Sequence, residues 1–113
     1  MPIEKIWLDK YQEFGGCCAY CGTPLLVGVD SFMCGQLDHL VPTKRGGPDT
    51  PENKVLACFV CNNLKLDFDP SREAASNKEE MVAAARVFIF KRRAEKAKNL
   101  LEYQEELRNR VGR

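Results

Sequence analysis

Cys18-Ala19-Tyr20-Cys21-Gly22 and Cys58-Phe59-Val60-Cys61-Asn62 repeat one step: a cysteine, two residues, a cysteine. The two-residue gap lets both sulfurs of such a knuckle face one ion, and tetrahedral zinc takes four thiolates at about 2.3 Å. Two knuckles fill the shell, so the zinc site they predict is structural, with no position open to a substrate. Other readings compete. A Cys-x-x-Cys step also serves as a redox pair, although two such steps outside any βαβ pattern argue against it. Buried cysteines also pair by chance. Cys17 adjoins Cys18, which leaves the register of the first knuckle open. Cys34 has no partner at metal spacing and is expected to be a small buried residue.

The chain around the knuckles sorts by periodicity. Ile3, Ile6, Trp7, Tyr11 and Phe14 fall at helical spacing, and Gly15-Gly16 ends that helix. Trp7 and Phe14 are expected in the core. Gly22 and Pro24 mark a turn. Leu25-Leu26-Val27 reads as a short strand, and residues 31–40 read as another leading into Asp38-His39. Residues 42–51 are dense in Gly and Pro and form a loop, long for a small domain and of the kind that carries function. Residues 53–57 return to the second knuckle. A short helix follows through Lys65, and Asp67-Phe68-Asp69-Pro70 breaks it. Ser76 with Glu79 makes a capping-box pattern, Ser at the cap and Glu three residues on. It opens a helix through Phe88 and Phe90 towards Val111. That stretch is long for a globular helix, which leaves open whether it is broken.

A chain of 113 residues reads as one domain with room for a helical appendage. A core this small often needs a metal or disulfide staple. The expected division is an N-terminal helix over 1–16, a central unit over 17–69 and a helical extension over 70–113. No apolar run approaches the roughly 20 residues of a membrane span, and the first residues lack the pattern of a secretory signal. A cytoplasmic location is therefore expected, where paired cysteines hold metal more often than they form disulfides. The net charge of +1 says nothing of partners, but nine Lys/Arg face four Asp/Glu from Arg86 onward. Arg86, Lys91, Arg92, Arg93, Lys96 and Lys98 would suit phosphate contacts, or simply a solvated helix face.

His39 is the only histidine. A lone histidine is usually structural, but this one follows Asp38, lies between the knuckles and precedes the Gly-Pro loop, with Asn53 just before the second knuckle. Together with Leu37-Asp38-His39-Leu40-Val41-Pro42, Arg45-Gly46-Gly47, Glu52-Asn53 and Cys61-Asn62-Asn63-Leu64-Lys65, the knuckles resemble the HNH endonuclease family over about residues 18–66. The resemblance implies an α+β fold. Its ββα-metal core would carry the zinc site formed by Cys18, Cys21, Cys58 and Cys61, with an N-terminal helix before it and a long C-terminal helix after. It implies His39 as general base and Asp38 as ligand of a catalytic divalent ion. Asn53 would be the asparagine that fixes the loop and orients the histidine. Where the family usually has its last histidine, this chain has Asn62, whose amide oxygen suits Mg²⁺ better than softer metals. The implied reaction is hydrolysis of DNA to 5′-phosphate and 3′-hydroxyl ends, with Mg²⁺, Mn²⁺ or Ni²⁺.

The chemistry has its own grounds. A neutral imidazole takes a proton from water, and a divalent ion stabilises phosphoryl charge and the departing oxygen. Lys44, Arg45 and Lys65 suit neighbouring phosphates, or a solvated surface. Gly46 and Gly47 either admit a strand closely or simply turn the chain. Arg92 and Arg93 extend the basic surface, and the C-terminal helix is a candidate surface for a partner or a second copy. Two rivals stand beside the nuclease: a non-catalytic zinc ribbon that binds nucleic acid, and an assembly protein with a degenerate nuclease core.

Overall fold

The computed structural model describes residues 3–73 and 76–112, so Met1-Pro2, Ala74-Ala75 and Arg113 lie outside the described residues. Its centre is one two-stranded antiparallel sheet, β1 (Gly35–His39) against β2 (Lys54–Cys58). The register pairs Gly35 with Cys58, Asp38 with Val55 and His39 with Lys54. β2 is the inner strand: Val55, Leu56 and Ala57 are fully buried. β1 is half-buried, which leaves its side chains for a site rather than for the core.

Helices close the sheet. α1 (Lys5–Glu13) precedes the first knuckle, α2 (Val29–Met33) precedes β1, and α3 (Phe59–Lys65) leaves β2 directly from the second knuckle. α4 (Lys78–Val111) runs unbroken for 34 residues. Only Ala85 and Ile89 of α4 are buried. They join Tyr20, Leu25, Leu40, Leu56 and Leu64 in the core, with Trp7, Tyr11 and Phe14 packed at its edge. Phe88 stacks on Phe68 with ring centroids 4.4 Å apart. The fold is thus α+β, with the sheet and flanking helices around the cysteine cluster. No helix among the described residues is long and apolar enough to cross a membrane.

Three local expectations change. Leu25-Leu26-Val27 is not a strand. The chain there makes only one isolated bridge, Cys17 to Pro24, and Leu26 and Val27 are exposed. The stretch 31–40 is a strand only from Gly35. Before it, Asp30 in the first turn and a bond from Ser31 Oγ to the Gly28 carbonyl support a short helix. The α4 cap is one residue later than expected. Asn77 accepts from the Glu80 amide at 2.8 Å, and Glu80 reaches back to Ser76 and Asn77. The reciprocal logic of the capping box holds with Asn as the cap.

Candidate metal centre and active site

The sulfurs of Cys18, Cys21, Cys58 and Cys61 all lie within 4.8 Å of one another. Four thiolates around tetrahedral zinc are about 3.8 Å apart, given a bond length of about 2.3 Å. Cys21 and Cys58 are 3.8 Å apart. The cluster therefore fits zinc, and it is Cys18 that belongs to it, while Cys17 Sγ lies at the Gly15 carbonyl. Cys34 is exposed, not buried as expected, because it ends α2 at the surface.

The knuckles are prepared for negative charge. The amides of Tyr20 and Cys21 point at Cys18 Sγ, and the amide of Cys61 points at Cys58 Sγ. Thiols alone cannot all ionise here. Cys18 is held well below the usual thiol range by hydrogen bonds from Cys58 and Cys61. Its partners move in the opposite direction: Cys58 is pushed up to about 11, and Cys61 is raised as well. A dication is what lets four thiolates coexist.

Arginines of α4 complete this centre. Arg93 Nη2 donates to Cys61 Sγ at 3.2 Å. Arg86 grips the first knuckle through the Tyr20 and Ala19 carbonyls at 2.8 and 2.9 Å. Arg92 is half-buried, and its Nε has no partner among the described residues. Part of the basic tail expected at phosphates is therefore occupied in the fold, leaving Lys91, Lys96 and Lys98 exposed.

Asp38, His39, Lys44, Asn62, Leu66 and Asp67 border an open cleft of about 530 Å³. Asp38, His39 and Asn62 thus line the same cleft, and Asn53 is not among its lining residues. Asn53, 8% exposed, fixes the rim of the cleft. Its Oδ1 accepts from the Val41 amide, and its Nδ2 donates to the Val41 and Pro48 carbonyls, each at 2.9 Å. Gly47 permits this closure, since a Cβ there would stand 1.7 Å from the Val41 oxygen. Gly46, at φ +87°, makes the turn.

His39 Nε2 lies 3.0 Å from Asp49 Oδ1, which also takes the Lys54 ammonium at 3.0 Å. Those two partners hold the Asp49 carboxyl below the usual carboxylate range. An ionised carboxylate only accepts, so Nε2 is the donor in this contact, and in a neutral ring Nδ1 is then the nitrogen with the lone pair. Asp49 has no signature in sequence; it is one polar residue in a loop of turn formers.

Asp38 is 8% exposed. Burial raises its carboxyl above the usual range, against the pull of Lys65 and of the Tyr20 hydroxyl. Tyr20 OH donates to Oδ2 at 2.7 Å, and Lys65 Nζ is 3.2 Å from the same oxygen. Oδ1 has no hydrogen-bond partner among the described residues. Asn62 donates its amide nitrogen to Gln36 Oε1, which leaves its own oxygen for the cleft. Lys65 is neither at a phosphate nor on the surface: it is fully buried, bonded to Asp38 and to the His39 carbonyl. Arg45 is paired with Asp67 at 3.2 Å, and Lys44 is exposed at the cleft.

A cysteine-knuckled α+β domain with a histidine, a buried aspartate and an asparagine around one cleft is the class that fold and site define. The model of the HNH endonuclease family matches residues 18–68, the segment that carries both knuckles, the sheet and α3. That segment is similar to a nuclease-type domain. No curated protein matches the chain.

Proposed function

We propose that the protein is an endonuclease that hydrolyses DNA phosphodiester bonds. His39 acts as general base, and one divalent cation is held by Asp38 and Asn62. The nuclease unit would be residues 17–69, with helical additions on either side. The observation that carries this reading is the contact of His39 Nε2 with Asp49 Oδ1 at 3.0 Å. A neutral ring whose Nε2 donates to the ionised Asp49 has Nδ1 available to take a proton from water. Asn53 keeps the loop that presents Asp49 closed over the end of β1. Asp38 and Asn62 each have one oxygen left for a hard cation such as Mg²⁺, Mn²⁺ or Ni²⁺. When bound, that cation would stabilise charge on the phosphoryl group and the leaving oxygen. Lys44 is placed to meet a neighbouring phosphate, and Lys91, Lys96 and Lys98 extend a basic face along α4. The exposed end of that helix is also open to a second copy or a protein partner. A reducing, cytoplasmic setting would keep the cysteines available for zinc.

Plasmid nicking by zinc-loaded protein, with and without added Mg²⁺, Mn²⁺ or Ni²⁺, tests the reading beside His39→Ala. Loss of general-base help lowers the single-turnover rate by roughly 10²–10⁴-fold, while zinc content and DNA affinity stay near the parent's. No cleavage with any cation would favour a zinc ribbon that only binds nucleic acid. Equal cleavage by His39→Ala would remove the histidine from the mechanism.

A further inference from the structure

The acidic residue of the cleft is held by a residue of the first cysteine knuckle. Tyr20 sits between the two cysteines of the first knuckle and is 1% exposed. Its hydroxyl crosses the core to Asp38 Oδ2 at 2.7 Å. A phenol O–H donates and a carboxylate accepts, so the contact runs from Tyr20 to Asp38. Lys65, in the helix that carries Cys61, reaches the same oxygen at 3.2 Å. Both contacts fall on Oδ2, Oδ1 has no hydrogen-bond partner among the described residues, and Asp38 itself borders the cleft. The Tyr20 backbone is itself fixed: its amide points at Cys18 Sγ and its carbonyl is gripped by Arg86.

We infer that Tyr20 is a positioning residue for the cleft cation: it orients Asp38 so that Oδ1 is presented to the ion, coupling the zinc knuckle to the second metal site. This rests on the reading of Asp38 as a ligand of that cation. Loss of such an outer partner costs roughly 10–100-fold in metal affinity. A tyrosine that merely packs the core would change stability and leave metal affinity alone. Tyr20→Phe separates the two, because it keeps the ring and removes only the donor.

The measurement is Mn²⁺ titration of zinc-loaded protein, read from the NMR signal of the His39 ring. The chain has one histidine, so the signal needs no further assignment. A paramagnetic ion in the cleft broadens it. Tyr20→Phe should need about 10–100-fold more Mn²⁺ for half-broadening, with zinc content unchanged. In cleavage, the loss should appear in the half-saturating metal concentration more than in the rate at saturating metal. Half-broadening at the same Mn²⁺ concentration in both proteins would overturn the positioning role and leave Asp38 as a ligand. A parent whose His39 signal never broadens would overturn the underlying reading and this one with it. Where Tyr20→Phe fails to hold zinc, the Tyr20 hydroxyl proton of the parent is the second readout. It should shift as Mg²⁺ saturates the cleft, and a resonance that stays in place would overturn the inference.

Discussion

Arg93 places a guanidinium nitrogen 3.2 Å from the sulfur of Cys61, so a residue of the C-terminal helix belongs to the metal centre. Four thiolates around Zn²⁺ leave a net charge of −2, and Arg93 offsets part of it. Arg93→Ala should weaken zinc binding by about 10–100-fold, as removal of an outer hydrogen-bond partner does. Competition with a colorimetric chelator measures this directly. Replacing Lys91, Lys96 and Lys98 by Gln should leave zinc affinity unchanged. If those lysines meet phosphates, the replacement should reduce the salt slope of DNA binding by about 0.9 for each phosphate no longer neutralised. Equal zinc affinity in Arg93→Ala would mean that the guanidinium contributes nothing to the site.

Asp49 should matter to chemistry although it is an exposed loop residue. Asp49→Asn can donate to His39 Nε2 and so favour the proton on Nδ1, the wrong tautomer for a base. Because Asp49 is largely open to water, the expected loss in single-turnover rate is about 10–100-fold, less than for a buried carboxylate partner. Zinc content and melting temperature should match the parent. A rate equal to the parent's would show that His39 needs no carboxylate.

The two loop glycines should respond differently. Gly47→Ala drives a methyl into the Val41 carbonyl, 1.7 Å away, and must open the loop that Asn53 closes. Cleavage should be lost while the knuckles still bind zinc. Gly46→Ala meets open space, and its positive φ alone costs about 1–2 kcal/mol. Comparing zinc content with nicking activity in the two variants checks both claims. An active Gly47→Ala would show that the loop does not have to stay closed.

Acid should loosen the contact between α1 and α4. Glu13 bonds Lys10 at 2.7 Å and Lys78 at 2.8 Å, and Lys10 is 4% exposed. Burial works to raise the Glu13 carboxyl, but the two lysines outweigh it and hold it below its ordinary value. A depressed carboxyl stabilises the fold above its unfolded pKa, and that contribution disappears as pH falls through the depressed value. Glu13→Gln should therefore lower the melting temperature at pH 7, and the gap to the parent should close below about pH 4. A gap that is constant with pH would assign the loss to packing.

The metal staple and the cleft residues were legible because their signals are short-range or unusual. Cys-x-x-Cys spacing encodes a ligand geometry, and a lone histidine beside an aspartate stands out against the loop that follows. The supports were not legible. Tyr20 reaches Asp38 across 18 residues, Arg86 reaches Tyr20 across 66, and Asp49 is one polar residue among turn formers. None of these pairings has a sequence period, since only the tertiary fold brings the partners together. Lys65 shows the converse. A lysine near a candidate site reads as a phosphate contact, yet the neighbouring buried carboxylate claims its charge. The strand expected at Leu25 failed because alternation cannot supply a partner strand, and the only paired strands among the described residues are β1 and β2.

The length of α4 decides what spectroscopy can see. It has 34 helical residues, against nine, five and seven in α1, α2 and α3. Beyond Ile89 none of its described side chains is buried, so its outer turns depend on local helix propensity more than on the zinc-stapled core. Far-ultraviolet circular dichroism is therefore dominated by a segment that does not require the metal. Trp7, the only tryptophan, packs on the core and reports the other part of the molecule. Chelation should quench or shift the Trp7 signal while much of the helical ellipticity survives. A single dichroism melt would then register a folded protein after the metal-bound core had come apart.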